Sequence, residues 1–273
     1  MPLAALGLAL GAAFLHAFWN VFLGRSQDVE AATAVVLVFS VVLFAPIAAF
    51  AGRVTWAAAP WIAASSVLEL AYFALLAAGY RRSDVSLIYP VARGLAPVAV
   101  LVIAVLAGRS TSTGQVLGVL AVGLGVFLVR GVARKADTRG LLFGVVIACC
   151  IAGYTVVDKE GIQHASPIPY LVLVLAGPAF AYMGAMLLMR GRDAVRAEVR
   201  PVNLVLAAAG FGAYSLVLAA LQLAPAASVA AVRETSVVIA TVMAAVVLHE
   251  HVTRIRLAGS VIVAGGIALL ALS

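Results

Sequence analysis

The chain has 273 residues, of which 65% are hydrophobic and 11% charged, and its mean hydropathy is +1.16. Soluble domains run at roughly 45–50% apolar and about 25% charged residues, and no soluble core of this length hides so much apolar surface, so lipid must cover much of the molecule. The net charge of +7 sits in short loops between apolar runs, which assigns it to lipid headgroups and membrane topology rather than to nucleic acid.

A helix crossing a bilayer needs about 20 mostly apolar residues. Runs of that kind predict spans at 3–24, 31–50, 58–80, 86–107 and 114–130. A second series follows at 140–158, 168–190, 202–223, 228–248 and 254–272. The stretch from Met1 to Gly11 lacks the basic start of a signal peptide, so the first run is expected to be a retained helix. Cys149 and Cys150 are adjacent in an apolar run and are the two cysteines of the chain, which excludes a disulfide framework and makes them small packing residues.

The polar connection from Arg130 to Arg139 falls near the chain midpoint and divides the protein into a first five-helix repeat (1–131), a basic linker (132–139) and a second repeat (140–273). Laying Tyr72–Leu128 on Tyr214–Leu269 with one single-residue gap aligns Gly118, Val122, Gly125 and Leu128 with Gly259, Val263, Gly266 and Leu269. Ser86 then matches Ser228, and Arg93 falls opposite Glu234. Five is odd, so the halves insert with opposite orientation, an arrangement common in secondary transporters that bind substrate near the midplane. The expected fold is therefore all-α and integral to the membrane, with ten transmembrane helices in two inverted repeats around a central cavity.

The opening His16-Ala17-Phe18-Trp19-Asn20 and the turn Leu248-His249-Glu250-His251-Val252-Thr253, together with the glycine ladders, resemble the drug/metabolite transporter superfamily, specifically its EamA family of two five-helix repeats. The first-half turn Leu106-Ala107-Gly108-Arg109-Ser110-Thr111 departs from that pattern by lacking the acidic residue. The resemblance spans essentially the whole chain. It implies a secondary transporter of small metabolites, often an exporter of amino acids or related compounds, in the cell (inner) membrane, and it does not fix the substrate. The ladders are read as structural, because glycines at helical spacing let backbones approach closely in lipid. A homodimer interface is the sharper reading of the ladders, which leaves monomer and homodimer both open.

Thirteen Lys/Arg residues fall in the loops after odd-numbered spans and three, Arg53, Arg109 and Lys159, after even-numbered ones. The positive-inside rule then places both termini outside the cytoplasm. Family members are often described with cytoplasmic termini, and we follow the count.

Glu69, Arg93, Arg233 and Glu234 lie deep inside predicted spans, where a charge costs at least roughly 2.5–3.5 kcal/mol. Mutual pairing, including a Glu69–Arg93 contact, and a substrate cavity are the two readings. For a cavity, arginine suits a carboxylate through its bidentate fork, and glutamate suits an ammonium or carries a proton. Tyr72, three residues from Glu69, and Tyr89, four before Arg93, share faces with those charges, and Tyr214 and Gln222 occupy the matching helix of the second half. His16 and Asn20 sit one turn apart beside Trp19, where a histidine suits either proton coupling or packing. Tyr80, Trp56 and Trp61 read as interfacial aromatics. Pro90 and Pro97 are expected to interrupt the fourth helix and Pro178 the seventh. His249, Glu250 and His251 do not have metal-ligand spacing.

No cofactor is called for. Neither a Walker-type phosphate loop nor a G-x-S-x-G or H-E-x-x-H motif occurs. The expected function is transport of a small polar metabolite by alternating access; a flippase for lipid-linked substrates on the same fold is the alternative, ahead of a membrane enzyme.

Overall fold

The structure is a computed structural model and describes residues 1–83, 85–130, 137–248 and 253–272. Among these it is all-helical: α1 (Leu3–Leu23), α2 (Val29–Ala48), α3 (Ala59–Tyr80), α4 (Val85–Leu106), α5 (Thr113–Arg130), α6 (Thr138–Gly161), α7 (Pro167–Ala197), α8 (Pro201–Leu223), α9 (Ala226–Arg233), α10 (Thr235–Leu248) and α11 (Arg254–Leu272). Among the described residues nine helical stretches are long and apolar enough to cross a membrane, and Thr113–Val129 is a shorter apolar tenth. Large apolar side chains such as Val67, Leu142, Leu188 and Val261 are more than half exposed, as lipid-facing surfaces require.

Two predicted elements differ in the structure. The ninth crossing is two helices, α9 and α10, with Glu234 between them in a tight turn where its N–H donates to Ala231 O at 3.0 Å. The chain thereby places Arg233 and Glu234 at a helix break, which frees them to face inward together. The seventh helix runs past 190 to Ala197, broken at Gly191 with φ +84°. Nothing lies within 4 Å of a side chain built there, so it is the backbone turn and not crowding that favours glycine. The prolines do not interrupt their helices: α4 continues through Pro90 and Pro97, and α7 through Pro178.

The packing is twofold-symmetric between repeats. α1 lies along α8 as α6 lies along α3; α4 packs on α6 as α9 and α10 pack on α1; α2 meets α7, and α5 meets α11. In the last pair the ladders mate antiparallel: a Cβ added to Gly118 would sit 2.9 Å from Gly266 O, and one added to Gly125 would sit 2.8 Å from Gly259 O. These glycines are thus occupied within the chain and do not face a second copy.

One end of the bundle carries both termini, with the Met1 ammonium 3.4 Å from Leu270 O. The other end is cross-braced. Arg190 donates to Glu30 Oε2 at 2.7 Å and lies 3.6 Å from Asp28. The buried Glu198 accepts from Asp28 N at 3.0 Å and from Asn203 Nδ2.

At that end Asp137 caps α6, accepting from Ser83 Oγ at 2.7 Å and from Arg139 N at 3.1 Å. These donors, Ser83 first, hold its carboxyl below the ordinary 3.8. The cap therefore stabilises fully above 3.8 and is lost as pH falls through the lower folded value. Asp137→Ala should lower the melting temperature in detergent at neutral pH, and the gap to the parent protein should close on acidification.

Candidate substrate-binding site

Five ionisable side chains meet near the middle of the bundle, each brought by a different turn of helix. Glu69 comes from the centre of α3, Arg93 from α4, Asp158 from α6, Arg233 from the end of α9 and Glu234 from the break after it. They are almost completely buried, between 0% and 6% exposed. A cavity of about 120 Å³ lies among them, lined by His16, Trp19, Glu69, Tyr72, Arg93, Tyr154, Tyr214 and Arg233 together with residues of α2 and α7. Its volume corresponds to about four waters, the scale of a small metabolite.

The charges divide into a paired and an open set. Arg93 Nε lies 3.0 Å from Glu234 Oε2, and its Nη2 donates to Ser236 Oγ at 3.2 Å. The Arg93 guanidinium also stands 6.0 Å from the Tyr89 ring centroid. So Arg93 joins Glu234 across the two repeats, and the expected Glu69–Arg93 ion pair does not form. Glu234, at the break after α9, is the acid that lies within ion-pair distance of Arg93.

Arg233 is different. Its nearest acid is Glu234 at 3.9 Å, its guanidinium lies over the Tyr214 ring at 6.0 Å, and its Nε and Nη2 have no hydrogen-bond partner among the described residues. Glu69 makes no ion pair or hydrogen bond among the described residues, although Asp158 and Arg233 stand within Coulombic reach.

Asp158 is a central residue that sequence reading missed. Its Oδ1 accepts from Tyr170 Oη at 2.9 Å and its Oδ2 from Tyr214 Oη, so both carboxylate oxygens are held by phenols. Tyr154, also missed, stands edge-on between Tyr72 and Tyr214, with ring centroids 6.2 and 5.9 Å away. Tyr72 and Tyr214 are the residues that superpose in the two halves, so Tyr154 bridges a symmetric pair. A signal for it was available in the sequence: it lies four residues before Asp158, on the same helical face.

Seven of the ten predicted site residues thus line the cavity, and Tyr89, Glu234 and Asn20 do not. Tyr89 and Glu234 contact Arg93 from behind, and Asn20 Nδ2 donates to His16 O at 2.8 Å within α1. Trp19 Nε1 donates to His16 Nδ1 at 3.3 Å, fixing both rings at the cavity edge.

A wider vestibule of about 770 Å³ opens at the end carrying the termini, lined by Trp61, Arg109, Gln115, Lys159, Glu160 and Gln222 among others. Trp61 thus lines the vestibule, while Trp56 is exposed. Arg109 and Glu160 pair across the vestibule, and Lys159 donates to Leu221 O and Ala224 O, capping α8. The Tyr80 side chain and residues His249, Glu250 and His251 lie outside the described residues.

A bundle of two five-helix repeats closing on a buried, charged midplane cavity defines the class of two-repeat membrane transporters. The sequence matches the EamA-like transporter family over residues 3–131 and 138–272. The chain belongs to that family, and is a multi-pass membrane protein. No curated protein matches it. A solved structure described only as "Crystal structure of protein" is similar at 15% identity and TM-score 0.78, with 100% of this chain and 98% of that one covered; this shows the fold alone.

Proposed function

We propose that the protein carries a small zwitterion, an amino acid or a related compound, across the cytoplasmic membrane by alternating access, in the direction of export. The observation that carries this reading is the open pair of charges on the cavity. The Nε and Nη2 edge of Arg233 is the fork that takes a carboxylate side-on, and it is buried with no hydrogen bond among the described residues, its contact with Glu234 being a loose 3.9 Å. Glu69 lines the same cavity and suits the ammonium. Tyr72, Tyr154 and Tyr214 supply flat walls and hydroxyls between the two charges. His16 and Trp19 form the side of the site on α1, with Asn20 tied to His16 O, and Arg93 completes the wall, held by Tyr89 and Glu234 from behind.

Alternating access is supported by the contrast between the two ends. The vestibule opens beside the termini, and the Arg190, Glu30, Asp28 and Glu198 contacts brace the opposite end, which the Lys/Arg count assigns to the cytoplasm. In this orientation the braced contacts break when the site turns inward to load substrate.

A thermal-shift screen of the detergent-purified protein against amino acids, amines, sugars and nucleotides tests the assignment. A ligand at 100 times its Kd adds about 2.7 kcal/mol of native-state stability. Amino acids should give the hit, and Arg233→Ala and Glu69→Gln should each abolish it. A hit that survives both substitutions removes these charges from the site. Silence from soluble metabolites with a shift from lipid-linked compounds assigns the fold to a flippase instead.

A further inference from the structure

α7 is longer than a crossing requires. A helix spans the hydrocarbon with about 20 residues, and α7 has 31, from Pro167 to Ala197. Its last turns therefore reach past the hydrocarbon at the braced end. They do not run on into water: the helix kinks at Gly191, and beyond the kink Val195 and Glu198 are buried. Glu198 is fixed there by the Asp28 N–H, which donates to its Oε1 at 3.0 Å. The tail thus lies against the end of the bundle, at the depth of the lipid headgroups.

The other side of the tail is exposed and basic. Arg192 and Arg196 are one helical turn apart, which sets them on one face, and both are exposed. Arg81, just past the end of α3, reaches the same place and donates from Nη1 to Met189 Sδ at 3.7 Å. Among the described residues none of these three arginines has a carboxylate within ion-pair distance. The neighbouring Arg190, by contrast, is matched by Glu30 at 2.7 Å and Asp28 at 3.6 Å. Asp193 is the one acid on the exposed part of the tail, so positive charge stands in excess there. Apolar side chains lead down to it: Leu188 is 90% exposed, and Leu173, Phe180 and Leu187, seven residues apart, carry an exposed strip along α7. Free guanidinium groups at the foot of an apolar strip match the two halves of an anionic lipid, a phosphate and an acyl chain.

We propose that the foot of α7, with Arg81, Arg192 and Arg196, is a binding site for an anionic phospholipid of the leaflet at the braced end. The guanidinium groups take the phosphate oxygens, for which their planar forks are suited, and an acyl chain lies on the strip above. The site is separate from the midplane cavity and does not rest on the zwitterion reading. The same tail carries Arg190 and Glu198, so a bound headgroup also holds the brace on α2, and binding adds stability to the folded bundle.

The test melts the detergent-purified full-length protein with added phosphatidylglycerol, with phosphatidylcholine, or with inorganic phosphate. Phosphatidylglycerol should raise the melting temperature, and the other two should not. The triple variant Arg81→Gln, Arg192→Gln, Arg196→Gln should lose most of that shift. A control triple at the same end of the bundle, Arg25→Gln, Arg254→Gln, Arg256→Gln, removes as many charges and should keep it. All six side chains lie at the surface, and gel filtration checks that both variants are folded. Native mass spectra of the parent should retain a phosphatidylglycerol that the first variant loses and the control keeps. Equal losses in the two triples overturn the site in favour of diffuse attraction to a basic face. No difference between phosphatidylglycerol and phosphatidylcholine in the parent overturns it outright, and a shift reproduced by inorganic phosphate makes it an anion site without a lipid.

Discussion

Arg93→Ala should be the most damaging single substitution in the protein, lowering stability by about 3 kcal/mol, because it removes the closest counter-charge of the buried Glu234 and leaves Arg233, at 3.9 Å, in its place. Glu234 has 1% of its side chain exposed and Arg93 has 7%, so water does not take the place of the lost guanidinium. The damage belongs to the missing partner more than to the lost attraction. Replacing both members with uncharged side chains of similar length, Arg93→Met with Glu234→Gln, should recover most of the loss, since a buried pair exchanged for neutral groups is often close to neutral in stability. Melting curves of the two single variants and the double in one detergent check this. A double variant as unstable as Arg93→Ala would show that the pair stabilises directly. The same comparison separates scaffold from site, because the double variant keeps Arg233 and Glu69 and should still bind the ligand.

Bulk on the glycine ladders should come next in magnitude. A Cβ on Gly125 or Gly259 meets backbone: Gly259 O at 2.8 Å and Val263 N at 2.9 Å in the first case, Val129 N at 2.7 Å and Gly125 O at 2.8 Å in the second. Backbone cannot turn aside as a side chain can, so α5 and α11 must separate along their length. Gly259→Ala should cost about 1–3 kcal/mol, the usual range for overpacking, and Gly259→Leu more. Gly265 is the internal control: it lies on α11 with nothing within 4 Å of an added Cβ. Gly265→Ala should be neutral or stabilising by up to about 1 kcal/mol through helix propensity. Equal losses at Gly259 and Gly265 would sink the ladder as the reason for close packing.

Much of this fold is legible in the sequence because lipid imposes a simple rule. Every crossing needs an apolar run, and the charges at each end mark where it stops. The ladders are legible too, since close helix contact in lipid requires small residues at fixed spacing. The Arg93–Glu234 contact is prefigured by their superposition in the aligned repeats. Asp158 fails the same rule. Asp158-Lys159-Glu160 reads as the polar end of a span, whereas the helix continues to Gly161 and sends the three side chains in three directions about 100° apart. Asp158 turns inward to two tyrosines, Lys159 turns to the carbonyls of α8, and Glu160 turns to Arg109. A run of charges carries no direction until neighbours supply one. The Glu69–Arg93 pairing fails for a related reason: depth along two helices does not say which faces meet, and the break at Glu234 cannot be read from an apolar run.

The contact between Arg93 and Glu234 also bears on ancestry. In the aligned halves these two positions are the same position, and Gly118 meets Gly266 while Gly125 meets Gly259, the crosswise exchange expected of a symmetric dimer interface. A single five-helix ancestor assembling as an antiparallel homodimer would put this residue against its own copy, arginine on arginine or glutamate on glutamate. Duplication removes that constraint, because two gene copies can diverge at an axial residue, one becoming basic and the other acidic. The central ion pair is thus the place where the two halves are no longer interchangeable.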